Sequence, residues 1–123
     1  MTSIRIDGEF GSFVRGRREE LRATDDSYSV RQVAARIGVE PAYLSKVERG
    51  EVAPPSEETI RKLAAELKED VDVMLAMAGK VSSDLREIIR RRPKLFAELL
   101  RQLKNAPNHA ILRVVRQVRD GEW

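Results

Sequence analysis

The sequence predicts an all-α protein, a compact unit of five helices followed by about three short C-terminal helices, and three observations carry that prediction. Apolar residues make up 41% of the 123 and charged residues 35%, with few aromatics, a profile of helical proteins rich in Leu, Arg, Glu and Ala. Apolar residues recur at i, i+3, i+4 and i+7 over most of the chain. Caps and breakers (Ser, Gly, Pro) fall between those stripes, where helices start and stop.

Met1 to Glu9 lacks helical periodicity and contains Gly8, so it reads as an N-terminal arm, either loose or a short extended piece with Ile4 and Ile6 on one side. Phe10, Phe13, Val14 and Leu21 mark a first helix from Phe10 to Ala23, which the turn-rich Thr24 to Tyr28 ends. Ser29 can cap a second helix, Val30 to Ile37, whose stripe is Val30, Val33, Ala34 and Ile37. Gly38 directly after it suits the left-handed conformation that closes helices. A third helix spans Glu40 to Arg49, with Pro41 in the first turn, where a missing N–H costs nothing, and Gly50 as its stop. After a loop stiffened by Pro54 and Pro55, Ser56 opens a fourth helix with Ile60, Leu63, Ala64 and Leu67 facing inward. A short fifth, about Asp70 to Ala78, adds Val71, Met74 and Leu75, and Gly79 ends the unit.

Three amphipathic segments follow, Asp84 to Arg91, Lys94 to Leu103 and Asn108 to Arg119, each introduced by a serine or a proline. The expected organisation is an arm at 1–9, a helical domain at 10–79 and a basic helical extension at 80–123.

Net charge is +3 and unevenly placed. Residues 1–80 hold 13 Lys and Arg against 15 Asp and Glu, whereas 81–123 hold 10 against 5. Within the first part the cations come early (Arg15, Arg17, Arg18, Arg22, Arg31, Arg36, Lys46, Arg49), so early helices that share a face would make it basic, as phosphate contact needs. Absence of cysteine rules out disulfides, thiolate metal sites and thiol nucleophiles, and a lone His109 with no glycine-rich phosphate loop leaves no assembled catalytic site. No enzyme, cofactor or metal is expected. No apolar run approaches the ~20 residues that span a bilayer, and Met1 to Phe10 has no signal core, so the expected location is cytoplasmic and nucleoid-associated.

Two short helices around a tight turn at Gly38 and Val39 have the geometry that sets one helix into the DNA major groove. Val33-Ala34 before Ile37-Gly38-Val39, then Tyr43-Leu44-Ser45-Lys46-Val47-Glu48-Arg49-Gly50, resemble the Cro and lambda-repressor-like (XRE) helix-turn-helix family over about Phe10 to Gly79. The resemblance implies scaffold roles for Ala34 at a helix crossing and Gly38 in the turn, beside the structural role of Gly50 as the helix stop. It also pairs Glu48, at the end of the recognition helix, with Arg18 on the first helix. Helical spacing turns Glu40, Pro41, Ala42, Tyr43, Ser45, Lys46 and Arg49 outward. Ala42 can touch a thymine methyl, Lys46 can donate to guanine, and Ser45 can reach a base or a phosphate. Tyr43, Arg49 and Arg31 suit phosphates, and Ser29 exposes the N-terminal N–H groups of the second helix to one. For each, the competing reading is a solvated side chain. Val30 stands where the family commonly has a phosphate-binding glutamine, and the preceding loop is longer than usual, so Arg31, or Ser27 or Tyr28 in that loop, would have to replace that contact.

The three C-terminal stripes cannot be buried within so short a segment and call for a partner surface. A homodimer matches the two half-sites, about 10 base pairs apart, of operators read by this motif. Arg90, Arg91 and Arg92 either add phosphate contacts or complement a helix dipole. The expected function is a repressor that binds a palindromic operator in double-stranded DNA as a dimer. The alternative is an antitoxin-like module that neutralises a protein partner through 81–123 and autoregulates its operon.

Overall fold

The computed structural model describes residues 6–121 and Trp123, and its described residues are all-helical. They form α1 (Ile6–Arg22), a single 3-10 turn at Asp26–Tyr28, α2 (Val30–Ile37), α3 (Pro41–Glu48), α4 (Glu57–Leu67) and α5 (Val71–Met77). Then come α6 (Ser83–Arg91), α7 (Pro93–Leu103) and α8 (Asn108–Asp120). Among the described residues no helix is long and apolar enough to cross a membrane. The chain divides into two compact units, one ending at Ser82 and one spanning Ser83–Trp123.

One expectation is corrected at the start. The arm's first five residues lie outside the described ones, but Ile6 to Glu9 are helical, so α1 begins before Phe10 and runs through Gly8. Extending a formed helix adds one hydrogen bond per residue at little nucleation cost, so an anchored helix can take in residues without an apolar period of their own.

The ends of the helices follow from local chemistry. Ser29 accepts a hydrogen bond from the N–H of Gln32 (3.2 Å), Ser56 from that of Thr59 (3.3 Å), and Asp70 from those of Asp72 and Val73 (2.8 and 3.2 Å). Each satisfies donors that a helix start leaves open. Four C-termini close with the same pair of backbone bonds around a left-handed residue. After α2, Gly38 (φ 77°) donates to Ala35 and Val39 donates to Ala34, and after α3, Gly50 (φ 71°) donates to Val47 and Glu51 to Lys46. Gly79 closes α5 in this way, but at α4 the left-handed position is Lys68 (φ 58°), the one non-glycine in that region among the described residues.

Within the first unit α1 packs on α3, α4 and α5, and α2 lies against α3 and α4. Phe10, Val14, Val33, Ala34, Ile37, Leu44, Val47, Ile60, Leu63, Ala64, Leu67, Met74 and Leu75 form one buried cluster, joined by Tyr28 from the 3-10 turn. Each large side chain so buried contributes about 1.5–3 kcal/mol. The second unit has no buried residue in any of its three helices. Its α7 and α8 flank an apolar groove of about 440 Å³ lined by Leu99, Leu103, Ile111, Val114, Val115 and Val118 with Arg119 at its edge.

Candidate nucleic-acid interface

The pair α2 and α3 is held as one piece by three devices. The turn between them is set by the left-handed Gly38 and by Val39, which packs on the core. Pro41 fixes the first turn of α3, and Glu40 precedes it as an N-cap without a side-chain hydrogen bond. From α1, Arg18 reaches Glu48 at the end of α3 with Nε to Oε2 at 2.7 Å and Nη2 to Oε1 at 3.0 Å. Its Nη1 donates to the Tyr28 carbonyl at 3.1 Å. Both members of the pair are almost wholly buried, Arg18 at 3% exposure and Glu48 at 7%. The Glu48 hydrogen bond outweighs the burial that opposes charge, so the guanidinium is held above its ordinary pKa. Two fork-like hydrogen bonds orient as well as attract, so α3 cannot rotate without breaking them.

α1 also approaches α3 closely enough to need a glycine. A Cβ on Gly11 would lie 2.3 Å from the Val47 carbonyl oxygen and 2.6 Å from that of Glu48. Ala34 on α2 is fully buried in the core.

On the other side of α3, Glu40, Ala42, Lys46 and Arg49 are exposed, while Pro41, Tyr43 and Ser45 are half-buried. Tyr43 lays its ring against the core. Arg31 is exposed and Ser29 half-buried at the start of α2. The outward positions thus keep exposed or half-buried side chains, while the scaffold residues Arg18, Ala34 and Glu48 are buried. Tyr28 does not stand in for the missing phosphate contact: it is buried and its hydroxyl donates to the Glu66 carbonyl at 3.0 Å.

The early arginines do not make a uniformly basic face. Arg17 donates to the Leu67 carbonyl at 3.0 Å and pairs with Glu69 at 2.9 Å, tying α1 to the end of α4. Arg36 pairs with Glu66 at 2.7 Å and lies 5.2 Å from the Tyr28 ring centre, a cation–π contact. Arg18 is engaged by Glu48 and, at 3.2 Å, by Glu19. Arg49 pairs with Glu51, and that hydrogen bond holds the Glu51 carboxyl below and the Arg49 guanidinium above their ordinary values. Among the described residues, Arg15, Arg22, Arg31 and Lys46 have no ion-pair partner. Arg15 lines a cleft of about 300 Å³ with Arg18, Val30, Ser45, Glu48 and Arg49, between α1, the start of α2 and the last turns of α3. Among the described residues no group of three or more metal-ligating side chains occurs.

Gly11 and Arg15 were not singled out as functional by pattern alone. Gly11 carried a signal all the same: with Val14 and Arg18 it continues the inward stripe of α1 at i, i+3 and i+7, and a glycine on a buried stripe marks a close crossing. Arg15 carried none beyond its charge, because the cleft joins residues from three helices.

A family model described as a helix-turn-helix domain matches residues 9–76. The uncharacterized HTH-type transcriptional regulator Rv0474 of Mycobacterium tuberculosis is 39% identical over 69 residues, 56% of this chain and 45% of that protein. RghRB of Bacillus subtilis, also an uncharacterized HTH-type transcriptional regulator, is 35% identical over 79 residues, 64% and 53% of the two chains. The HTH-type transcriptional regulator SlrR of the same organism is 38% identical over 71 residues, 54% and 47%. The chain thus spans about half the length of the curated relatives it matches. No solved structure gives a significant match. With the matched region covering more than half of its residues and enclosing α2, the turn and α3, the chain belongs to the helix-turn-helix family, of the Cro and lambda-repressor-like type.

Proposed function

We propose that this chain is a sequence-specific DNA-binding transcriptional regulator, a repressor that binds a palindromic operator as a dimer in the cytoplasm, on the nucleoid. The observation that carries the reading is the exposed side of α3, fixed by the buried Arg18–Glu48 pair and presenting Ala42 and Lys46, with the exposed cation Arg31 in the first turn of α2. The names of the relatives, all HTH-type transcriptional regulators, support it.

In this reading α3 enters the major groove. Ala42 meets a thymine methyl, Lys46 donates to guanine O6 or N7, and Ser45 and Glu40 border the base contacts, with Pro41 setting the angle of the first turn. Arg31, Tyr43 and Arg49 hold backbone phosphates, and the N–H groups of α2 beyond Ser29 offer a positive dipole end to another. No reaction is assigned to the chain, and no cofactor or metal.

The first unit carries DNA recognition and the extension carries association. A unit of three short helices without a buried side chain is below the size that folds on its own core, so α6 to α8 need a second surface. A second copy supplies one and gives the two-fold symmetry of a palindrome. The exposed apolar side chains also support an antitoxin-like reading, in which a different protein occupies the same groove.

Genomic fragments selected by the purified protein test the proposal. They should share a palindrome with half-sites about one helical turn apart, and binding should fall steeply with salt. Lys46→Ala should relax sequence preference at one position of each half-site, at a cost of about 1–3 kcal/mol. Fragments without a shared sequence would overturn base readout. Co-purification of a stoichiometric second protein through residues 81–123, with no homodimer by mass, would favour the antitoxin-like reading.

A further inference from the structure

We propose that the cleft between α1 and α3 seats one DNA backbone phosphate, with Arg15 as its fixed cation and Arg49 as a second cation that Glu51 holds in the free protein. The inference rests on the DNA-binding reading above and adds a contact from α1.

The cleft is walled by three arginines of different standing. Arg18 is neutralised by Glu48 within two hydrogen bonds and is buried, so it serves as a wall. Arg49 is half-exposed and held by Glu51, which is equally exposed. Arg15 is exposed and has no ion-pair partner among the described residues. The two carboxylates near the cleft are therefore each engaged with another arginine, and Arg15 is the cation left to attract an anion. The Ser45 hydroxyl stands on the same wall and can donate to a phosphate oxygen. The cleft, about 300 Å³, is far larger than the ~10–15 Å³ that one water needs by the same measure, and so has room for a phosphodiester group.

The cleft lies beside the outward positions of α3, since Ser45 and Arg49 belong to both. Inserting α3 into a major groove carries the flanking strand toward this wall, where Arg15 meets it from α1. Val30 at the cleft's edge has no polar atom in its side chain, so attraction there must come from Arg15 and Arg49. Glu51 then acts as an internal anion that an arriving phosphate displaces from Arg49, because a doubly contacted phosphate and a solvated carboxylate compete for one guanidinium.

Duplex binding by the full-length protein, measured over a salt series, tests the seat with Arg15→Gln, Arg15→Lys and Glu51→Gln. Arg15→Gln should weaken operator and random duplex alike, by roughly fivefold to tenfold at moderate salt, and lower the slope of log K against log salt by about 0.9. Arg15→Lys should restore the slope. Glu51→Gln should tighten binding to both duplexes by a few fold. Unchanged affinity and slope in Arg15→Gln, or a loss confined to the operator, would overturn the seat. An unchanged affinity in Glu51→Gln would overturn the role of Glu51. If the wild-type protein bound no duplex, the DNA-binding reading itself would fail, and the seat with it; a wild type that binds while Arg15→Gln is silent separates the two failures.

Discussion

Gly11 and Gly16 sit in the same helix under opposite demands. A Cβ at Gly11 meets two backbone carbonyl oxygens of α3 well inside contact distance, and neither is the end of a flexible side chain, so α1 and α3 must separate to admit it. Gly11→Ala is expected to destabilise by 3 kcal/mol or more, about the upper range of overpacking. A Cβ on Gly16 would meet nothing within 4 Å beyond its own helix backbone. There Gly16→Ala removes unfolded-state entropy and should stabilise by about 0.5–1 kcal/mol. Thermal unfolding of the two variants settles both signs, and a mild effect at Gly11 would show that the crossing is not tight. The Arg18–Glu48 pair belongs to the same scale. Glu48→Gln leaves the buried guanidinium with only the exposed Glu19, at 3.2 Å, as counter-charge and should cost about 3 kcal/mol, whereas Arg18→Met with Glu48→Leu should cost much less, because no buried charge is then stranded. A double-mutant cycle on unfolding free energies checks this, and equal costs for the single and double variants would refute it.

At the scale of the element, helix ends are governed by residues within one turn, and that locality decides how much of the fold was legible. Ser29, Gly38, Pro41, Gly50, Ser56 and Gly79 could be read as starts and stops because each acts on backbone groups a few positions away. The stripes of α2, α4 and α5 were legible for the same reason. What pattern could not supply was where an element meets a non-neighbour: Tyr28 turned inward onto Glu66, Arg17 onto Leu67, and Arg15 onto a three-helix cleft. The beginning of α1 was hidden too, since helix extension through Gly8 needs only an anchored neighbour. Lys68 is the end that chemistry would not choose, a left-handed residue with a Cβ. Its side chain is exposed and has no ion-pair partner among the described residues, so Lys68→Gly should raise stability by about 1 kcal/mol in denaturant titration. In contrast, Ser29→Ala should lower it by about 1 kcal/mol through loss of the cap.

For the whole molecule, the contrast between units is one of burial and charge. Among the described residues every buried apolar side chain lies in the first unit, while the second carries net positive charge and exposed Leu99, Leu100, Val115 and Val118. An apolar groove built this way favours a copy that brings its own stripe, because two such surfaces bury each other while their arginines stay at the rim in water. Val115→Asp in the full-length chain places a charge inside that groove. It should convert the proposed dimer to a monomer by sedimentation and leave the unfolding of the first unit unchanged, since no core residue is touched. A palindromic operator should then be bound with the weak affinity of one half-site, while an isolated half-site is bound as by wild type. That divergence comes from linkage alone, because two tethered readers make the second contact at high effective concentration and a monomer cannot. If Val115→Asp remained dimeric, the groove would not be the interface. If the wild-type protein were already a monomer by sedimentation, a second copy would not be its occupant, and the antitoxin-like partner would take its place.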